Sequence, residues 1–149
     1  NSGMASRWAT SSAIAASLAA AGVAAIGLFD ARPESAEALA GRLRTHYAAI
    51  DTRLGSSDPA GYDVVINASP LGMNDNDPLP VDVSRIAPGT FVGEVVMKTE
   101  MTAFLQAAQA RGCRLQIGTD MLFEQIPAYI EFFGLPTTTA ENLRAVARL

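Results

Sequence analysis

Two short motifs in this chain combine residue types that could bind a small ligand. Residues 67–73 have the sequence N-A-S-P-L-G-M and directly follow the apolar segment 62–66. Residues 118–125 have the sequence G-T-D-M-L-F-E-Q and follow a second apolar segment, 114–117. A buried strand that ends in a small polar loop with proline or glycine is typical of the ligand-binding edge of an α/β sheet. The motifs therefore predict a site built from two strand ends.

The rest of the pattern predicts the elements that position these motifs. Strands are expected at 23–29, 49–53, 62–66, 91–97 and 114–117, and helices at 12–21, 33–47, 102–111, 121–133 and 139–149. Strands that alternate with helices in this way predict a parallel sheet covered by helices on both faces. The expected class is α/β, with a Rossmann-like three-layer parallel sheet.

Composition narrows the class of protein further. The chain has 149 residues, of which 49% are hydrophobic and 17% charged, which suits one domain with a sizeable core. A net charge of −4 argues against nucleic acid or an anionic membrane as the main partner. Cys113 is the only cysteine and His46 the only histidine, so neither an intrachain disulfide nor a zinc site is expected. These features predict a cytoplasmic protein.

Two N-terminal segments need separate interpretation. Residues 1–11 are small, polar and aperiodic, which predicts a disordered arm or a vector-derived segment, with the Rossmann-like domain over 12–149. Residues 13–29 carry almost no charge, as a membrane span or signal peptide would. An alanine-rich helix broken at Gly22 and followed by a buried strand is the favoured interpretation, so no membrane association is expected.

The two motifs, in this order and after strands, resemble the NAD(P)-binding domain of the shikimate/quinate dehydrogenase family. Members of that family carry N-A-[ST]-P-x-G-M and G-x-x-M-L-x-x-Q, and the resemblance covers nearly all of 12–149. It implies hydride transfer between a nicotinamide cofactor and a ring hydroxyl carbon. The implied partner is a small molecule of the shikimate or quinate class, bound together with a further domain.

The resemblance also implies which residues lie beside the cofactor. Those expected along the dinucleotide, towards its nicotinamide end, are Asn67, Ser69, Leu71, Val95, Gly118 and Met121. For Gly118, the expected reason is that a side chain would collide with the nicotinamide. Two structural alternatives stay open: Asn67 could only satisfy its own loop, and Met121 could be a core residue.

Asp30 and Arg32 bear on the choice between NAD and NADP. An acidic residue that ends the second strand of a dinucleotide fold binds the ribose hydroxyls and repels a 2′-phosphate. NADP-using relatives have Asn-Arg-Thr or Asn-Arg-Ser here, whereas this chain has D-A-R over residues 30–32. NAD is therefore favoured, although Arg32 could swing towards a phosphate. The alternative is a solvated turn that only begins the helix at Pro33.

Met97 and Gln125 are the residues implied at the substrate. Relatives often have D-x-V-Y-x-P where residues 94–99 here are E-V-V-M-K-T, so Met97 replaces the tyrosine and its contact would be apolar. Gln125 would direct its amide at a substrate hydroxyl. Lys98 invites the role of a general acid, but an exposed lysine at a loop start is the favoured interpretation. No catalytic residue or metal ligand is assigned.

Three parts of the family pattern are not recognisable in this sequence. They are the first strand, the turn G-x-G-G-x-[GAS] and the Lys–Asp catalytic pair of the substrate domain. The expectation is a sheet that lacks or replaces its first strand, and no catalysis by this chain alone. The alternative function is a non-catalytic module that self-associates through an exposed sheet edge and keeps a vestigial pocket.

Overall fold

The computed structural model of the protein describes residues 2–132, 134 and 138–146. Helices and strands alternate through this part of the chain. The elements are α1 (Ser2–Ala20), β1 (Ala25–Leu28), α2 (Pro33–His46), β2 (Asp51–Leu54), β3 (Val64–Asn67), a 3-10 turn (Val83–Arg85), β4 (Phe91–Glu94), α3 (Ala103–Ala110), β5 (Arg114–Gln116), α4 (Gly118–Phe132) and α5 (Ala140–Val146). All strand pairs are parallel, so the predicted α/β class is confirmed.

The chain divides after Asp58 into two compact units, each with its own sheet. In the first unit β1 and β2 pair in parallel, with Ala25 opposite Asp51. The buried residues that join α1, β1 and α2 are Ala15, Ala19, Ile26 and Leu43. Two of these four are alanines of α1, and small side chains on a helix allow it to approach its neighbours closely.

Helix α1 begins well before residue 12, where the sequence pattern placed its start. Alanine, the strongest helix former, recurs throughout 5–20, and no proline interrupts the segment. The helix ends where the N–H of Gly22 bonds to the carbonyl of Ala19 (3.0 Å) and the N–H of Val23 to that of Leu18 (3.5 Å). Residues 2–11 are therefore helical; the origin of 1–11, and one domain over 12–149, stay predictions.

The second unit holds a three-stranded parallel sheet in the order β3-β4-β5. Val64 lies opposite Phe91, and Phe91 opposite Arg114. The core of this unit consists of Val83, Ile86, Val92, Phe104, Leu105 and Ala108. Because the three strands run parallel, their carboxyl ends lie at one edge of the sheet. Both sequence motifs leave the sheet at this edge.

Each sheet has an unpaired edge within the described part of the chain, since β1 pairs only with β2 and β3 pairs on one side only, with β4. That the fold lacks or replaces a first strand stays a prediction. Residues 13–29 form the end of α1 and then β1, as the favoured interpretation has it. None of the helices described here is long and apolar enough to cross a membrane.

Element boundaries differ from the sequence pattern mainly at strand ends. Strand β4 stops at Glu94, where its partner β3 ends at Asn67; beyond Glu94 the described ladder continues as the bond from the Val95 N–H to the Asn67 carbonyl (3.1 Å). Helix α4 begins at Gly118, one turn earlier than expected. Thr139 caps α5 through the N–H of Asn142 (3.2 Å), and residues 133 and 147–149 of the predicted last helices lie outside the described part.

The start of α4 makes a specific prediction about Gly118. A Cβ there would overlap the carbonyl oxygen of Val96 and lie 2.8 Å from its carbonyl carbon, and backbone cannot move aside cheaply. Gly118→Ala should lower the free energy of unfolding by about 3 kcal/mol in urea denaturation. Gly93→Ala is the control, since its Cβ would meet nothing closer than 3.8 Å. Equal losses in the two variants would contradict this account.

Candidate functional site

Asn67, at the end of β3, organises the loop that follows it. Its Nδ2 donates to the carbonyl of Leu71 (2.8 Å), and its Oδ1 accepts from the N–H (3.1 Å) and the hydroxyl (2.6 Å) of Ser69. The Ser69 Oγ in turn accepts from the N–H of Leu71 (3.2 Å). Asn67 is buried, and these bonds serve the loop itself. Asn67 therefore satisfies its own loop, and its contact with a cofactor stays a prediction.

Gly72 and Asp77 close the other end of this loop. Gly72 has φ +100°, a conformation that favours glycine, and its N–H donates to Oδ2 of Asp77 (3.0 Å). The same oxygen accepts from the N–H of Asn74 (3.0 Å). These N–H donors, that of Asn74 foremost, hold the pKa of the Asp77 carboxyl below its ordinary value. The loop is therefore fixed at both ends by side chains of its own segment.

The structure brings three of the predicted cofactor residues together at the carboxyl edge of the second sheet. The N–H of Val95 bonds to the carbonyl of Asn67, and a Cβ on Gly118 would lie 3.2 Å from the carbonyl carbon of Val95. The chain's own backbone is thus a sufficient reason for glycine at position 118. The sequence-based reason, a collision with nicotinamide, stays a prediction.

Helix α4 carries the remaining predicted residues of the second motif. Met121 is half-buried and Gln125 is exposed, one helical turn further along. Arg144 of α5 bonds to Asp120 (2.9 Å) and to Glu124 (2.7 Å) on the same helix. These exposed ion pairs connect α4 to α5 and add little stability in water. A cofactor contact for Met121 and a substrate contact for Gln125 stay predictions.

Asp30 and Arg32 belong to the first unit, where β1 gives way to α2. The N–H of Arg32 donates to Oδ1 of Asp30 (2.8 Å), and the Nε of Arg32 lies 4.0 Å from the same oxygen. Both side chains are largely exposed. Asp30 lines a cleft of about 170 Å³ at the carboxyl ends of β1 and β2, here called the Asp30 cleft. It is formed by Leu28, Phe29, Asp30, Pro33, Ala36, Glu37, Leu54 and Gly55.

Met97 and Lys98 follow β4 and are both exposed; Met97 keeps 54% of its accessible surface. Lys98 lies on a cleft of about 320 Å³ that also includes Gly72, Asp77, Thr102 and Gln106. The exposed position agrees with the favoured interpretation of Lys98, and no group of acidic, histidine or cysteine residues in the described chain could hold a metal ion.

Glu94 is a residue of this site that sequence reasoning did not single out. It lies opposite Asn67 in the β3–β4 register, is 3% exposed, and neither carboxylate oxygen has a hydrogen-bond partner in the described structure. Burial raises the pKa of the Glu94 carboxyl, and the nearby Thr102 hydroxyl and Asn67 amide oppose this only in part. A signal was present, because Glu94 is the only charged residue in the apolar run 91–97.

Comparison with known proteins identifies the relatives of this chain. It is 36% identical over 137 residues to a shikimate dehydrogenase (NADP(+)) of Acidiphilium cryptum, a match that covers 91% of this chain and 49% of that protein. The chain is homologous to the shikimate/quinate dehydrogenases. It spans about half the length of the curated relatives it matches, and no protein-family model matches it.

Solved structures extend this shikimate/quinate dehydrogenase homology to the fold. Quinate dehydrogenase from Corynebacterium glutamicum in complex with NAD is 31% identical, with a TM-score of 0.77 over 90% of this chain and 49% of that one. A 5-ketofructose reductase of Gluconobacter is 30% identical, with a TM-score of 0.77 over 91% of this chain and 52% of that one. The similarity is to the NAD(P)-binding region, and the relatives include proteins named for either cofactor.

The loop between β3 and the 3-10 turn supplies a prediction of its own. Asp77→Ala should increase hydrogen exchange at the amides of Gly72 and Asn74, because it removes the oxygen that accepts from both. The pKa of Asp77 is lowered, so the same loosening should occur in the unmodified chain when the pH falls below that pKa, and not at neutral pH. Amide exchange followed by NMR measures both effects.

Asp75→Ala is the matched control for this experiment. Asp75 is an exposed aspartate of the same loop, and its replacement by alanine changes the net charge by the same amount. Equal acceleration at Gly72 in the two variants would show that Asp77 does not hold the loop.

Proposed function

We propose that this chain binds a nicotinamide dinucleotide, NAD in preference to NADP, as the cofactor-binding domain of an oxidoreductase for shikimate- or quinate-class alcohols. The observation that carries the proposal is the convergence of Asn67, Val95 and Gly118 at the carboxyl edge of a parallel sheet. Open parallel sheets bind ligands outside this edge. Homology to shikimate/quinate dehydrogenases supports the same assignment.

The Asp30 cleft is the proposed site for the adenosine end. Its walls are mainly apolar, which suits an adenine ring, and the carboxylate of Asp30 at its rim can accept from ribose hydroxyls. Glu37 adds a second acidic side chain to the lining. Arg32 is already close to Asp30, at 4.0 Å. This charge distribution opposes a 2′-phosphate and favours NAD over NADP.

The loops of the second unit would hold the nicotinamide end. Val95 is half-buried and would present an apolar contact to the ring, while Met121 on α4 would pack beside it. The bound cofactor supplies the hydride chemistry, and the residues of this chain bind it, orient it and exclude water. The bonds that fix Asn67 and Gly72 make the nearby loop rigid before any ligand arrives.

Met97 and Gln125 are the proposed contacts with the substrate. The exposed amide of Gln125 can hydrogen bond to a hydroxyl, while the exposed side chain of Met97 offers only an apolar surface. A substrate here would gain no hydrogen bond at position 97. Shikimate and quinate are the first candidate substrates. The comparison substrate is 5-ketofructose, after which a structurally similar reductase is named.

Titration calorimetry with NAD and with NADP tests the proposal. NAD should bind more tightly than NADP. Asp30→Ala should weaken NAD binding about tenfold and bring the dissociation constants for NAD and NADP closer together, because a charge-assisted contact to ribose is lost. Asp51→Ala is the control, since Asp51 also pairs with an exposed arginine, Arg53, but lies at the amino end of β2. Binding of neither dinucleotide, or equal effects of the two variants, would contradict the proposal.

The free edge of β3 favours a second candidate function, self-association. Strand β3 pairs with β4 through residues 63, 65 and 67, so the N–H and C=O groups of Val64 and Ile66 point to its other edge. Val64 is 36% exposed. Two copies could extend their sheets by pairing these edges about a twofold axis.

Sedimentation of the chain over a range of concentrations tests this candidate. If the β3 edge mediates dimerisation, Val64→Lys should give a monomer, because an edge lysine disfavours strand pairing, while the exposed-residue control Leu79→Lys should not. A wild-type chain that sediments as a monomer throughout would contradict self-association and leave the dinucleotide proposal intact.

A further inference from the structure

Glu94 is enclosed by three uncharged groups from three different segments. Asn67 lies beside it on β3, Thr102 precedes α3, and Gly72 lies over the carboxylate. A Cβ on Gly72 would be 3.9 Å from Oε2 of Glu94 and 3.6 Å from Cβ of Thr102. Asn67 and Thr102 are 4% and 2% exposed, so the polar side chains around Glu94 are buried.

Neither polar neighbour of Glu94 makes a hydrogen bond to its carboxylate oxygens in the described structure. The Oδ1 of Asn67 accepts twice from Ser69 and its Nδ2 donates to Leu71, while the Oγ1 of Thr102 accepts from the N–H of Leu105 (3.3 Å). These bonds leave the hydroxyl proton of Thr102 and one N–H of Asn67 available, and both groups favour an ionised Glu94, but burial raises its pKa more than they lower it. An ionised carboxylate buried without a partner is costly, whereas its neutral form is far less so.

We propose that Glu94 stays uncharged in the folded chain at pH values at which an exposed glutamate has ionised, and that its uncharged carboxyl group is a positioning residue that keeps the loop 67–72 packed against the start of α3. Ionisation would draw the carboxylate towards water, and Gly72, which lines the cleft that also includes Lys98, is the loop residue next to Oε2 of Glu94. Since this loop is a proposed part of the dinucleotide site, the inference rests on the proposed function for its effect on binding.

The pH dependence follows from the burial of Glu94. The pKa of Glu94 is raised by burial, so its contribution to stability is complete below its ordinary pKa and is lost as the pH rises through the raised value. No charged described residue contributes to that shift; Asp77, which holds Gly72 through its N–H, has a lowered pKa and stays ionised over this range. Loop order and dinucleotide affinity should therefore fall together as the pH rises through the pKa of Glu94.

Glu94→Gln is the test variant, because an amide keeps the shape of the side chain and cannot ionise. Urea denaturation between about pH 4 and about pH 8 should show stability falling with pH more in the wild-type chain than in this variant. The NAD dissociation constant of the wild type should rise up to about tenfold per pH unit above the pKa of Glu94, as the competent fraction shrinks, and that of the variant should not.

Glu100→Gln is the matched control. Glu100 is an exposed glutamate six positions further along the same segment, and its replacement removes the same charge. The pH profile of this variant should follow that of the wild type. A profile for Glu94→Gln that also follows the wild type would overturn the proposal.

Infrared spectroscopy reports on Glu94 without any ligand. At a pH just above the ordinary pKa of glutamate, the wild type should show the carbonyl stretch of a protonated carboxyl group that is absent from Glu94→Gln. If the band is missing from the wild type, Glu94 is ionised and the proposal fails.

Should the chain bind neither dinucleotide, the proposed function fails instead, and amide exchange at Leu71 and Gly72 decides the role of Glu94. Exchange that accelerates with pH beyond its intrinsic rate only in the wild type supports it, and equal profiles overturn it.

Discussion

The backbone hydrogen bonds that hold β4 between β3 and β5 determine where most residues of the candidate site lie. All three strands run parallel, so the chain leaves each of them at the same edge. The ladder ends with the bond from Val95 to Asn67, and directly beyond it the backbone of Val96 meets the first residue of α4. Only glycine fits at that contact, which is why the second motif begins with Gly118.

Two buried polar residues at this edge differ in how their burial is balanced. Asn67 satisfies its side-chain amide within residues 67–71 and thereby ties the loop to the end of β3. Glu94, its neighbour in the register, has no such partner, and its burial carries an electrostatic cost that the fold must offset elsewhere. Local conflicts of this kind concentrate at functional sites, where stability is exchanged for a constrained geometry.

Much of the fold was predictable because its signals are local. Apolar runs marked β1, β3, β4 and β5, and Pro33 and Thr139 marked helix starts, since each of these patterns depends on neighbours along the chain. The start of α1 was not predictable in this way, because small polar residues in 1–11 resemble an arm while their helix formation depends on alanine content and on packing of the segment that follows.

The candidate site was predictable only to the level of its motifs. The residues of 67–73 and 118–125 could be named from sequence, and the structure brings Asn67, Val95 and Gly118 together. The environment of Glu94 could not be predicted from the sequence, because its burial results from contacts between β3, β4 and α3, which are distant in the chain. Likewise, the reason for Gly118 is a backbone approach across the fold, which no local pattern encodes.

The central claim is that this chain binds a dinucleotide through three particular places. Amide chemical shifts measured by NMR during addition of NAD test it most directly, because each place has its own reporters. The account predicts saturable shifts at residues 30–32, 67–72 and 118–121, with residues 51–53 at the amino end of β2 unchanged. Shifts confined to other residues, or none at saturating NAD, would contradict it.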